Sequence, residues 1–294
     1  MIEVPEALVA HYSENRGAEG RAFAGLLPAR AAGFLDRWGL RTAGAPMHGV
    51  CALVLPVERA DGTGAVLKLQ ALDEETEGEP DALRAWGGDG AARLLEHDRE
   101  TGTLLLERLG TRDLSSVEDS REAVRVLAEL LARLTDRPAP EGMRRLGDLA
   151  ARMLDAVPGA APRLADSAER RLLLDCAAAV REVLAEPGDR LLHWDLHYGN
   201  VLAAEREPWL AIDPKPLAGD PGFELAPALH NRFDPAETRR RFDLMTEVLA
   251  LDRERARAWS LGRVLQNGLW TVEDGEERLG AVQVSIARTL LGRE

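Results

Sequence analysis

The chain has 294 residues, 45% of them apolar, enough for one large domain or two lobes, and no stretch approaches the roughly 20 apolar residues that span a bilayer. A net charge of −13 argues against a nucleic-acid partner, which needs basic surface, and suits a cationic or neutral small molecule. The opening Met-Ile-Glu-Val-Pro-Glu lacks the basic and apolar regions of a signal peptide, and Cys51 and Cys176 have no CxxC spacing. A protein of the reducing cytoplasm is expected.

In chain order, residues 21–40 carry Leu27, Ala31, Phe34, Leu35 and Trp38 at helical spacing. Residues 50–57 and 65–69 are rich in Val and Leu and read as strands, with Asp61-Gly62-Thr63-Gly64 as the hairpin turn between them. Pro80 suits the first turn of a helix that runs through Trp86 toward Leu95. Residues 103–106 read as a further strand, and 121–135, 143–154, 168–184 and 238–251 as amphipathic helices. Two short strands, 200–203 and 209–212, interrupt the helical region. The pattern predicts an α+β fold: a strand-rich lobe over 1–106, a hinge at 107–111, and a helical lobe over 112–294.

Of 37 basic side chains only two are lysine, Lys68 and Lys215. In a chain that otherwise uses arginine, a retained lysine suggests a need for a compact point charge. The sharpest segment is His193-Trp-Asp-Leu-His-Tyr-Gly-Asn200, followed one hairpin later by Ala211-Ile-Asp213. Asp195 offers a carboxylate able to accept a proton. Asn200 and Asp213 offer hard oxygens at two ends of a hairpin, a sparse set that suits Mg²⁺ carrying phosphates. A base, a metal on phosphate oxygens and a cation on the donor side are the parts of a phosphoryl-transfer site. His193-x-Asp195-x-His197 also has the form of a hydrolase metal cluster, but that reading leaves Asn200, Asp213 and Lys68 without roles.

These motifs resemble the protein-kinase-like fold, specifically the aminoglycoside phosphotransferase superfamily. The resemblance extends over 49–69, 79–95, the 193–200 loop, Ile212-Asp-Pro-Lys-Pro-Leu-Ala-Gly-Asp-Pro221 and Gln266-Asn-Gly-Leu-Trp270. It narrows to the streptomycin 6-phosphotransferase and hydroxyurea-resistance branch. It implies a two-lobed kinase fold with ATP as co-substrate and Mg²⁺ held by Asn200 and Asp213. Asp195 is then the catalytic base, with His197 near the transferred phosphate and His193 bracing the loop. Lys68 would grip the phosphates, paired with Glu79, although Glu75 and Glu77 compete for that place. The hinge would offer the Glu107 carbonyl and Leu109 amide to adenine, and Lys215 would be a further nucleotide-site lysine or a helper of a surface turn. The implied acceptor is a hydroxyl of a small molecule, an aminoglycoside such as streptomycin. A kinase of an endogenous sugar, amino sugar or other metabolite, or a silent nucleotide-binding module, are the alternatives. A cationic acceptor would need carboxylates, for which Asp220, Glu273 and Asp274 are candidates, with Trp270 as a stacking wall or a core residue. Two departures stand out: Pro46-Met-His-Gly49 replaces a GxGxxG loop, and Glu224 stands where relatives commonly place Asp.

Overall fold

Apolar side chains from Leu8 and Tyr12 to Leu27, Ala31 and Phe34 are buried along helix α1 (Glu6–Arg37) in the computed structural model, which describes residues 2–293. The helix begins well before residue 21 and bends at Gly17, where φ is 55°. Its Tyr12 hydroxyl donates to the Cys51 carbonyl at 2.6 Å and accepts the Ala71 N–H at 3.2 Å, tying helix to sheet. The chain divides into two units, Met1–Gly110 and Thr111–Glu294.

The first unit is built on an antiparallel sheet of β1 (Arg41–Thr42), β2 (Met47–His48), β3 (Ala52–Glu58), β4 (Gly64–Gln70), and two later strands. The expected hairpin joins β3 to β4, with Glu58 opposite Gly64 and Val54 opposite Lys68. Asp61 closes its turn by accepting the Thr63 N–H at 2.9 Å, and Gly62 takes φ 82°, open to a residue without Cβ. Helix α2 (Glu79–Trp86) follows. It stops at Gly87 instead of reaching Leu95, because Gly87, Gly88 and Gly90 all adopt left-handed φ and the Gly87 N–H caps the Leu83 carbonyl at 3.0 Å. The residues beyond are therefore free to form β5 (Leu94–Asp98) at the sheet edge beside β6 (Thr103–Glu107). Leu53, Leu55, Val57, Leu67 and Leu69 pack with the α1 face in one core.

The second unit is mostly helical: α3 (Ser120–Leu134), α4 (Leu146–Ala160), α5 (Ser167–Val183), α6 (Ala226–His230), α7 (Thr238–Val248), α8 (Arg253–Glu273) and α9 (Ala281–Leu290). Aspartates start several of them, as Asp166 does by accepting the Ala168 N–H at 2.7 Å and Asp252 the Arg255 N–H at 2.8 Å. Strand β7 (Arg190–Leu192) pairs with β10 (Leu217–Gly219), and β8 (Val201–Ala203) with β9 (Trp209–Ala211), both antiparallel. Helices α5 and α8 pack together over buried Leu173, Val180, Trp259 and Leu265. Burying each such side chain contributes roughly 1.5–3 kcal/mol. Among the described residues no helix is long and apolar enough to cross a membrane.

Candidate active site

In the first unit β4 alternates its side chains across the sheet and brings Lys68 to the start of α2. Lys68 Nζ lies 2.7 and 2.8 Å from the two oxygens of Glu79, and Gln70 Nε2 donates to the same carboxylate at 2.6 Å. Lys68 is 5% and Glu79 1% exposed, so the pair is desolvated and each charge depends on the other. The choice among acids is set by local chain geometry. Asp73 accepts the Glu75 and Thr76 N–H groups, each at 3.0 Å, in a turn that leaves Glu77 exposed and Glu79 as the first buried acid. At the end of β6, the Glu107 carboxylate accepts the Arg93 N–H at 2.8 Å and the Glu107 N–H donates to the Arg93 carbonyl at 2.9 Å, so both groups tie the strand end to Arg93. Leu109 is half-buried two residues later.

In the second unit the loop after β7 carries the sharpest motif. Trp194 has φ 64° and Asp213 φ 56°, a left-handed backbone that costs energy for side chains with a Cβ. Surrounding contacts hold Trp194 there. Glu224 accepts its N–H at 2.9 and 3.0 Å and also the His193 N–H, while Arg144 and Arg263 lie 4.8 and 5.0 Å from its ring. Glu224 is fully buried, and burial pushes its carboxyl up to about 7, against the pull of the two amides and Arg263. Glutamate at this position thus reaches the loop backbone directly.

His193 is also fully buried, and burial pushes its imidazole down to about 4. The neutral ring donates through Nε2 to the Ile212 carbonyl at 2.9 Å, and Nδ1 then accepts the Asp195 N–H at 3.4 Å. One imidazole therefore ties the Asp195 loop to the segment that leads from β9 to Asp213. Asn200 sits in a 3-10 turn, Tyr198–Asn200, capped by His197, whose Nδ1 accepts the Gly199 N–H at 3.1 Å. Asn200 Nδ2 donates to the Asp195 carbonyl at 2.9 Å, leaving Oδ1 as its atom for a cation. Lys215 Nζ lies 3.6 Å from Asp195 Oδ2 and 3.5 Å from Asp213 Oδ2, between the two carboxylates.

Asp195 and His197 line a pocket of about 270 Å³ together with Ala226, Pro227, His230, Asn231, Arg263 and Asn267. The polar wall on α6 and α8 was missed in the sequence; the spacing of Arg263, Asn267 and Trp270 along one helical face was the available signal. Burial and the nearby Arg263 lower the His230 imidazole below its usual value. Trp270 is 41% exposed, its ring 6.5 Å from that of Trp194 with Arg263 5.8 Å away, so it extends this aromatic stack outward. The three candidate carboxylates are elsewhere. Asp220 accepts the Gly222 N–H at 2.8 Å and pairs with Arg255, and Glu273 and Asp274 are exposed at the end of α8; none lines the pocket. The pocket's own lining sets Asp195 beside Arg263, His230 and the amides of Asn231 and Asn267.

Among the described residues no cluster of three or more His, Cys, Asp or Glu could hold a metal, which disfavours the hydrolase-type alternative. Asn200 and Asp213 alone fit a cation that keeps water and phosphate oxygens as its other ligands.

The sheet with its buried lysine–glutamate pair and the loop and hairpin of the helical unit suit a protein-kinase-like phosphotransferase, and the comparisons with known proteins bear out that class. Residues 37–275 match the family described as aminoglycoside/hydroxyurea antibiotic resistance kinase, and the chain belongs to that family. It is 65% identical to a hydroxyurea phosphotransferase of Kitasatospora aureofaciens, over 100% of this chain and 87% of that protein. It is 56% identical to a streptomycin 6-kinase of Streptomyces glaucescens, over 99% of this chain and 98% of that one. A solved choline/ethanolamine kinase family protein from Mesorhizobium loti shares the fold, with TM-score 0.61 at 17% identity over 90% of this chain and 94% of that one. So does the aminoglycoside phosphotransferase APH(4)-Ia, with TM-score 0.58 at 16% identity over 91% and 96%.

Proposed function

We propose that this protein transfers the γ-phosphoryl group of ATP to a hydroxyl of a small molecule of the aminoglycoside class, streptomycin in particular. The observation that carries this is the convergence of Asp195, Asn200 and Asp213 through one buried histidine and one turn, beside a pocket that Asp195 lines. It occurs in a chain more than half identical to a protein named streptomycin 6-kinase.

In this reading Asp195 accepts the proton of the acceptor hydroxyl as its oxygen bonds to phosphorus and the bond to the ADP oxygen breaks. Asn200 and Asp213 hold Mg²⁺, which when bound neutralises charge on the phosphate oxygens. Lys68, fixed by Glu79, offers its ammonium to the donor phosphates. Lys215 balances charge beside Asp195, and His197, its Nδ1 occupied by the Gly199 N–H, stands near the transferred phosphate. Segment 107–111 is the hinge between lobes 1–106 and 112–294, and the Glu107 carbonyl and Leu109 N–H address adenine.

Two observations favour a second acceptor, hydroxyurea: the 65% identity to a protein named for it, and a pocket whose charged lining beyond Asp195 is the cation Arg263. Incubation with ATP, Mg²⁺ and each acceptor, followed by mass spectrometry, tests both. Phosphorylated streptomycin supports the first reading and phosphorylated hydroxyurea alone the second. ADP without any phosphorylated acceptor counts against both.

A further inference from the structure

The segment just after α6 touches the catalytic loop as well as the pocket. Asn231 lines the pocket with Asp195, and its Oδ1 accepts the Tyr198 N–H at 3.1 Å while its Nδ2 donates to the Pro227 carbonyl at 2.6 Å. Tyr198 opens the turn that carries Asn200, and Asn200 in turn bonds the Asp195 carbonyl at 2.9 Å. The next residue grips the same tyrosine: the Arg232 guanidinium lies 5.2 Å from the Tyr198 ring, which is buried at 1% exposure. Arg232 itself has φ 43°, an unfavourable backbone for a side chain of its size. That backbone is held by Arg241, 5% exposed, which donates to the Asn231 carbonyl at 2.6 Å, the Arg232 carbonyl at 3.0 Å and Ser120 Oγ at 2.8 Å. A buried cation thus fixes 231–232, and 231–232 fixes Tyr198 by its amide and its ring.

We propose that Asn231 is a positioning residue for phosphoryl transfer, setting the Tyr198–Asn200 turn and through it the placement of Asn200 and Asp195. The inference rests on the kinase reading of those two residues. It goes beyond that reading in assigning the support of the site to the pocket wall, so that the surface facing the acceptor also holds the metal-side amide in register. Strained backbone retained by a buried arginine is the structural mark of such a support, since nothing about α6 alone requires it. Loss of a partner that orients a metal ligand typically costs roughly 10–100-fold in metal affinity or activity.

The test compares Asn231→Leu, close in size but unable to accept the amide, with Asn231→Asp, which keeps the accepting Oδ1, and Asn231→Ser, a milder truncation. Steady-state kinetics are read against Mg²⁺ concentration, and hydrogen exchange is read on the peptide that contains 198–200. The expected result for Leu and Ser is kcat lowered at least about tenfold, a higher Mg²⁺ requirement, faster exchange at 198–200, and an ATP KM close to wild type. Asn231→Asp keeps the accepting Oδ1 but sets its other oxygen against the Pro227 carbonyl, so its exchange and Mg²⁺ requirement should fall between those of Asn231→Leu and wild type. Wild-type kcat and exchange in Asn231→Leu and Asn231→Ser would overturn the inference, as would lost activity with exchange unchanged. If the wild type phosphorylates no acceptor, the kinase reading fails on that observation alone. The exchange data would then still decide whether Asn231 holds the turn.

Discussion

Both carboxylate oxygens of Glu224 accept the backbone N–H of Trp194, at 2.9 and 3.0 Å, directly beneath the residue that precedes Asp195. Replacing Glu224 with Ala would strand the His193 and Trp194 amides in a buried setting, each at a cost of roughly 1–3 kcal/mol. It would also release Trp194 from its left-handed backbone. Chemical unfolding should show that loss of stability, and kcat should fall while the ATP KM stays near wild type. An alanine variant with native stability and turnover would show that the loop is held by other contacts.

Glu224 and His193 shift in opposite directions, so their effects on stability oppose each other. Burial raises Glu224 from 4.5 to about 7, so its contribution is fully present below the unfolded value and is lost as pH rises through about 7. Burial lowers His193 from 6.5 to about 4, so its contribution is present above the unfolded value and is lost as pH falls toward about 4. Between 4.5 and 6.5 folding moves one proton from the histidine to the glutamate, with little net uptake from these two groups. Glu224→Gln removes one side of this balance. Urea unfolding across that window should show the variant losing stability relative to wild type as pH falls. Parallel pH profiles for the two proteins would contradict the opposed titrations.

The buried Lys68–Glu79 pair gives a different expectation. Removing one charge leaves the other desolvated, which typically costs about 3–5 kcal/mol, so Glu79→Ala should be less stable as well as slower. Lys68→Arg keeps the charge but not the compact ammonium. It should raise the ATP KM or lower kcat, while the acceptor KM changes little. Kinetics indistinguishable from wild type in Lys68→Arg would remove the phosphate role from this lysine.

Much of the site was legible because its residues are close in sequence. The loop from His193 to Asn200 and the hairpin to Asp213 fix their own spacing, and the β3–β4 turn announces itself through Asp61 and Gly62. The end of α2 was only partly legible: Gly87-Gly-Asp-Gly90 has turn composition, but that its left-handed φ ends the helix short of Leu95 shows only in the fold. The pocket wall was hidden for another reason. Asn231, Arg263 and Asn267 reach Asp195 only through the packing of α6 and α8, and a sequence search for carboxylates to meet a cation pointed to Asp220, Glu273 and Asp274 instead. Asp220 is conspicuous beside Pro221, but its oxygens serve Gly222 and Arg255.

If Asn200 and Asp213 hold Mg²⁺ as proposed, activity depends on the metal. Asp213→Ala should abolish turnover in Mg²⁺, and chelation of the wild type should do the same, because the oxygens of Asn200 and Asp213 only accept and would repel phosphate oxygens without a cation between them. Full activity in excess chelator would show that these residues have another task.

Whether Asp195 takes the proton from an acceptor hydroxyl is decided by the phosphorylated product that Asp195→Asn forms against wild type. Both are assayed with saturating ATP, Mg²⁺ and streptomycin, and with hydroxyurea in parallel. Asparagine keeps the size of the side chain and loses the basic oxygen. The expected result is a fall in kcat of at least about 10²-fold, the scale of general acid–base assistance, with the ATP affinity little changed. Near-normal turnover by Asp195→Asn on an acceptor that the wild type phosphorylates would contradict the account.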